Sequence, residues 1–503
     1  MPLVDPRIAG IGIMTANRPA LLERALKSYA QFATANRSKI EYVVFDDSKE
    51  IDMCNANRHV ADRVRQQYDV PVRFAGCQEK ATYVKQLGEC LGHSRDILQR
   101  SLMRTEGYTL GQNRNALLLD SIGSLYFSAD DDTICSVAIA PDAQQSLRLS
   151  EGIDPCSYWC YQNTTRNGND TELIKKDVLD THGQLLGRRL SEIISSDFQQ
   201  ITEIAGRLNK PESSVRITVN GLLGDCGWGA PFGLWHQPMG YLAFDGASLE
   251  RLIHDDNAYR QRLQTRQVLR VTTGPVLADF AFSMLTTWGF DNRQLLPPNL
   301  PTHRGQDLIF GQVLSACSKD AVIGHLPFSL IHDPVPIRRF WPGEITRTAA
   351  GIDLCRLMVE AITCCSFRDS EISIEDRLMS LGRHLIRLAA LPGNRLRKHL
   401  SQCLQDSNQC FEQTLMKRAM RESICNTAYA NDVTQYFNKL RTSQSNEDYW
   451  LPLDLRSVDG VKGAEARTRQ SLREFGELLE TWPAIIHAAK TLRNADIRLS
   501  VPR

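Results

Sequence analysis

A chain of 503 residues with 42% hydrophobic and 23% charged side chains has ordinary globular usage and room for two or three domains. Its 59 Lys and Arg against 58 Asp and Glu leave a formal net charge of +1, which gives no case for a nucleic-acid partner. No stretch approaches the ~20 consecutive apolar residues of a membrane-spanning helix, so no transmembrane segment is expected; the opening MPLVDPRIAG lacks the charged-then-apolar layout of an export signal, and the expected location is cytoplasmic. The 14 cysteines are then expected as reduced, buried thiols. Cys156 with Cys160, and Cys364 with Cys365, have no matching Cys/His pair at zinc spacing, so no structural zinc is expected. The glycosylation pattern Asn163-Thr164-Thr165 belongs to the secretory route and is set aside.

In chain order, Ile8 to Thr15 is a β-rich run, and Asn17-Arg18-Pro19 leads into an amphipathic stretch, Leu21 to Phe32. This predicts a helix with an Asn cap and an early Pro. A second apolar run, Tyr42 to Phe45, ends in Asp46-Asp47-Ser48, and a third strand, Val70 to Phe74, precedes a long helical region. Residues 111 to 132 then read as an Asn/Arg-rich helix feeding an apolar strand that ends in Asp130, Asp131 and Asp132. Three adjacent carboxylates repel, and a divalent ion with a phosphate ligand would turn that cost into a binding site; the plain alternative is a solvated acidic turn. Strands alternating with helices predict an α/β fold with a mainly parallel sheet. Ligands bind such sheets at the carboxyl ends of strands, where Thr15, Asp46, Asp47 and Asp130 to Asp132 fall.

T-A-N-R-P after the first strand, F-D-D-S after the second, G-Q-N-R-N-A before the acidic strand and A-D-D-D as a D-x-D element together resemble the GT-A glycosyltransferases of the family 2 type, over roughly residues 8 to 335. The resemblance implies a GT-A, Rossmann-like fold and metal-dependent transfer from a nucleotide diphosphate sugar, a UDP-sugar favoured, to an acceptor left open, protein or glycan. It implies that Asp46 or Asp47 contacts base or ribose, with Thr15, Asn17, Arg18, Arg114, Asp130 and Asp131 completing the donor site. Asp132, Asp130 and His332 of the S-L-I-H-D-P segment would hold Mn²⁺ or Mg²⁺, an imidazole favouring Mn²⁺. In Arg304-Gly305-Gln306-Asp307, Gln306 stands where the family often has Glu. Asp307 is the candidate general base of an inverting transfer, or else a carboxylate that favours a helix start. A nucleotidyltransferase making sugar nucleotides and a non-catalytic nucleotide-sugar-binding protein are the competing readings. The first is weakened because no Gly-rich Lys/Arg loop follows the first strand.

Residues 151 to 190, with Asn167-Gly168-Asn169-Asp170, read as a hairpin or flap. Val215 to Val219 reads as a strand, followed by the Gly-rich segment Gly224 to Pro231, which lacks the Gly-Lys-Ser/Thr ending of a Walker loop. It is expected either to wall the sugar or acceptor pocket, Trp228 stacking on a sugar and Asp225 bonding its hydroxyls beside Gln306, or to be a tight turn; Trp235 and His236 are weaker candidates. Phe340-Trp341-Pro342-Gly343 marks a boundary, giving a catalytic domain over 1–340 and a helical domain over 341–503. Ile374, Leu378, Leu381, Leu385 and Leu388, and Leu472, Phe475, Leu479 and Trp482, recur at helical spacing and predict a bundle for acceptor recognition or homo-oligomerisation. Arg383, Arg387, Arg395, Arg397 and Lys398 form either a basic patch or a solvated face.

Overall fold

The computed structural model describes all residues except 1–7, 36–39, 93–94, 105–106, 153, 161–172, 195–205, 226–231, 234–236, 239–241, 243, 245, 265–266, 280–284, 336–345, 368–372 and 423–426. The Asn163 and Asn167 segments, Trp228, Trp235, His236 and the boundary at Phe340 therefore lie outside the described residues.

The first four strands, β1 (Gly10–Thr15), β2 (Glu41–Asp46), β3 (Val72–Ala75) and β4 (Leu125–Asp130), pair in parallel in the order β3-β2-β1-β4. GIGIMT, EYVVFD and LYFSAD are nearly continuous apolar runs because each strand is buried on both faces. The crossovers are helical: α1 (Pro19–Ala35), α2 (Ile51–Tyr68), α3 (Cys77–Leu91), α4 (Arg95–Leu102) and α5 (Leu110–Asp120). Pro19 is the first residue of α1, where its missing N–H costs nothing. Asn17 does not cap that helix: it takes φ 57° and instead bonds Ser48 and Lys49 across the strand ends.

Beyond β4 the sheet becomes mixed. After β5 (Thr133–Ala138) come β6 (Ser214–Asp225), β7 (Thr287–Asp291) and β8 (Ala321–His332), with β7 antiparallel between β4 and β6, and β8 parallel to β6. The sheet as a whole is 14-stranded, so the expected α/β class holds while parallel pairing is confined to part of it. The strand expected over Val215 to Val219 runs on to Asp225, and its register sets Gly224 beside His332. Gly224 has φ 124°, and a Cβ there would meet the His332 carbonyl oxygen at 2.3 Å, so no side chain fits that crossing.

Helix α6 (Gln306–Cys317) precedes β8, and the C-terminal region is helical: α7 (Leu354–Thr363), α8 (Ile374–Ala390), α9 (Gly393–Glu422), α10 (Thr427–Gln444) and α11 (Leu453–Asn494), the last broken at Gly460 with φ 67°. Leu378, Leu381, Leu385, Leu388, Leu472, Phe475, Leu479 and Trp482 are buried, as their spacing predicted, while Ile374 is partly buried. Helices α8 and α11 cross where Gly382 meets Gly476; a Cβ on either would lie 2.5 or 2.7 Å from the other's carbonyl oxygen. One hydrophobic core joins this bundle to the sheet, running from Leu117 and Trp288 through Leu308 and Leu357 to Trp482. The indole Nε1 of Trp482 donates to the Leu296 carbonyl at 2.8 Å. The chain then returns to the sheet as β9 (Val501–Pro502), antiparallel to β3, with Arg498 bridging Glu41 and Asp120.

In the expected basic patch, Arg383 is paired with Glu480 and Arg397 with Glu447, each at 2.8 Å, so part of its charge is neutralised. The cysteines were expected as reduced thiols; Cys364 and Cys403 are instead joined as a disulfide across a separation of 39 residues, a pairing that spacing does not signal. No helix among the described residues is long and apolar enough to cross a membrane.

Candidate functional site

The carboxyl ends of β1, β2 and β4 converge, and the side chains there are bonded to one another. Asp46 accepts from the Ser48 amide at 2.9 Å, from the Ser48 hydroxyl at 2.6 Å and from Asn57 at 3.1 Å, which ties it down as a buried turn former. Asp47 is the carboxylate that reaches the cavity. It forms a buried ion pair with Lys80 of α3 and accepts from Thr109 at 3.1 Å. Lys80 also donates to Asn113 at 2.6 Å, and Asn113 in turn donates to the Phe45 carbonyl at 2.7 Å. This network sutures α3 and α5 to the end of β2.

The three adjacent carboxylates are compensated by two arginines, Arg114 and Arg18. Asp130 and Asp307 share the buried guanidinium of Arg114, whose Nη2 lies 3.5 Å from Asp130 and also donates to the Leu285 carbonyl at 2.9 Å. Asp131 turns inward: fully buried, it accepts from Thr15 at 2.6 Å and pairs with Arg18 at 2.8 Å. Asp132 meets the same guanidinium, 3.3 Å from Arg18, and lies 3.5 Å from Nε2 of His332. Burial pushes Asp131 up to about 7 against the pull of Arg18. Burial also raises Asp130, with Arg114 opposing and the Asp132 and Asp307 charges adding to the rise. For Asp132 burial is outweighed by the His332 imidazole and by Arg18, and its carboxyl is held below the usual range.

His332 owes its orientation to the end of β6. Its Nδ1 donates to the Asp225 carbonyl at 2.6 Å, which turns Nε2 toward Asp132. Oδ1 of Asp132 is buried and faces that imidazole nitrogen at 3.5 Å, a separation at which both could ligate one cation. Around these groups lies a cavity of about 510 Å³, lined by Thr15, Asn17, Arg18, Asp47, Asp130, Asp132 and His332. Arg104, Tyr108, Thr109, Asn113 and Arg304 line it too, with the Arg304 guanidinium 5.1 Å from the centre of the Tyr108 ring.

The structure thus gathers Thr15, Asn17, Arg18, Asp47, Asp130, Asp132 and His332 around one space. Asp46, Asp131 and Arg114 stand behind it as supports. Asp307 sits at the start of α6 with both oxygens engaged, Oδ1 by Arg114 and Oδ2 by the Leu285 amide at 3.2 Å. Gln306 is buried beside it, and Asp225 contributes its backbone carbonyl through His332. Sequence reading did not single out Lys80, Arg104, Tyr108, Thr109 or Asn113 as site residues. Asn113 lies inside the quoted G-Q-N-R-N-A segment and carried a signal; Lys80 sits on an ordinary amphipathic helix and carried none. No family model matches the chain, and no curated protein matches it.

Proposed function

We propose that this protein is a glycosyltransferase that moves a sugar from a nucleotide diphosphate sugar, a UDP-sugar favoured, to a hydroxyl on a protein or glycan acceptor. The observation that carries this reading is the meeting of Asp130, Asp132 and His332 with Arg18, Arg104 and Arg304 around one cavity at the ends of parallel strands. A diphosphate is the ligand that uses both halves of that set, its oxygens facing guanidinium groups on one side and a carboxylate-bound cation on the other.

In this reading Asp132 and His332, 3.5 Å apart, would hold Mn²⁺ or Mg²⁺ with Asp130 on the wall of the same cavity, the imidazole favouring Mn²⁺. A divalent ion held there would neutralise charge that builds on the leaving diphosphate. Arg18 would add charge to the same oxygens, and the Lys80–Asp47 pair holds the nucleotide end of the cavity in shape. Asp307 takes the acceptor's proton in this reading, which requires the acceptor to displace its contact with Arg114 or with the Leu285 amide. That engagement favours one alternative, a protein that binds the nucleotide sugar without transferring it, with Asp307 as a clamp on Arg114.

Nucleotide release from a panel of UDP- and GDP-sugars, with and without Mn²⁺, tests the proposal. Release that depends on Mn²⁺ supports it. Binding with no release supports the clamp, and pyrophosphate exchange would point to nucleotidyl transfer instead.

A further inference from the structure

Far along the chain from the candidate site, Cys364, His399 and Cys403 bring two Sγ atoms and one imidazole nitrogen within 4.8 Å of one another. Cys364 caps the carboxyl end of α7, while His399 and Cys403 lie four residues apart on α9 and so share one face of that helix. The Nε2 atom of His399 is buried and has no hydrogen-bond partner among the described residues, an orphaned lone pair or proton aimed at no protein group. The two Cα atoms of the cysteine pair stand 7.2 Å apart, just outside the roughly 4.4–6.8 Å that disulfides span.

We propose that the reduced pair, together with His399, is a zinc site that pins the end of α7 to α9. Two thiolates and an imidazole form a soft, nitrogen–sulfur donor set that suits Zn²⁺ and not the oxygen-seeking ions of the acidic cavity. On binding, two thiol protons leave, two Zn–S bonds and one Zn–N bond form, and no electron is transferred. The fourth tetrahedral position is left for water. Because α7 packs against α6 as well as α9, the ion braces a neighbour of the helix that begins at Gln306 and Asp307. The competing state of the same sulfurs is the disulfide, which forms only when they are oxidised.

The test uses the full-length chain, reduced with a dithiol, stripped with chelator and desalted after addition of Zn²⁺ or, as a spectroscopic probe, Co²⁺. The expected result is about one ion retained per chain, with the thiolate-to-cobalt charge-transfer band and intense visible bands of tetrahedral cobalt. Cys364→Ser and Cys403→Ser should lose the ion and the band, and His399→Gln should weaken retention and shift the cobalt spectrum. Cys410→Ser, on the same helix, and Asp132→Ala, in the acidic cavity, should retain both ion and spectrum. The proposal is overturned if the reduced wild type retains no zinc, if Cys403→Ser binds as well as wild type, or if His399→Gln leaves affinity and spectrum unchanged. It is also overturned if the pair re-forms a disulfide in the presence of Zn²⁺, counted as two missing titratable thiols.

Discussion

The ammonium group of Lys80 is buried directly against the Asp47 carboxylate, both side chains almost wholly removed from water. Two buried charges coexist only while each compensates the other, and here Lys80 also satisfies Asn113. Replacing Lys80 by Met strands the Asp47 charge and should destabilise the fold by about 3–5 kcal/mol. Urea unfolding of Lys80→Met measures this; a loss under about 1 kcal/mol would show that Asp47 finds water or another cation.

The acidic cavity predicts coupled binding. With Asp132, Asp130 and His332 as the only ion ligands expected from the chain, the donor phosphates must complete the coordination, so Mn²⁺ alone should bind weakly and UDP with Mn²⁺ should bind tightly. Calorimetry should show this coupling in the wild type and its loss in Asp132→Ala. Wild-type UDP binding that is indifferent to Mn²⁺ would remove the metal from the proposal.

For Asp307, the proposed base role predicts that Asp307→Asn lowers transfer by about 10²–10⁴ while donor affinity stays close to wild type. The contact with Arg114 gives the variant a second possible effect, because Arg114 is buried and would lose a charged partner. Melting temperature therefore belongs beside the rate. A rate that falls only in step with the folded fraction identifies a clamp, and a rate that falls in a fully folded variant identifies a base.

A separate pH effect follows from His182. Its ring accepts from Thr218 at 2.7 Å, donates to Asn220 at 3.3 Å and packs edge-on against Phe127 and Phe328. Burial pushes it down to about 3, so the folded state refuses the proton that the unfolded chain takes up at about 6.5. Its contribution is complete above pH ~6.5 and declines as pH falls toward 3, by about 1.4 kcal/mol per pH unit. Asp131, raised to about 7, acts in the opposite sense, so the wild-type curve alone does not isolate the histidine. The stability gap between wild type and His182→Gln does: it should narrow by about 2 kcal/mol from pH 7 to pH 5 in urea titrations. A gap that stays constant over that range would mean that His182 is protonated in the folded state.

Much of this was legible because the informative residues are local in sequence. An apolar run ending in Asp46-Asp47 or Asp130-Asp131-Asp132 reports both the strand and the place where it ends, and the helical spacing around Leu378 and Leu472 reports a buried face. The division of labour among neighbours was not legible. That Asp47 and not Asp46 reaches the cavity, and that Asp131 turns inward to Thr15, depends on strand pleat and on partners far away in the chain. Lys80 meets Asp47 across 33 residues, and the Cys364–Cys403 contact spans 39, so no window of sequence contains either. The helical region looked like a separate module because Pro and Gly interrupt the pattern near residue 342, yet its apolar faces share the sheet's own core.

The return of the chain to β3 has a consequence for synthesis. The outer edge of β3 is covered by Val501–Pro502, and the carboxylates of Asp120 and Glu41 are gathered by Arg498, so the early strands are completed by a segment that is made much later, Arg73 meeting Ser500 across 427 residues. Until then β3 presents open backbone hydrogen-bonding groups, the kind of edge that recruits strands from neighbouring chains. Closing contacts of such long sequence separation is slow, so the nascent protein spends a large part of its translation with that edge unguarded. Aggregation during expression should therefore respond more to changes at Arg498 and Val501 than their modest share of the finished contacts suggests.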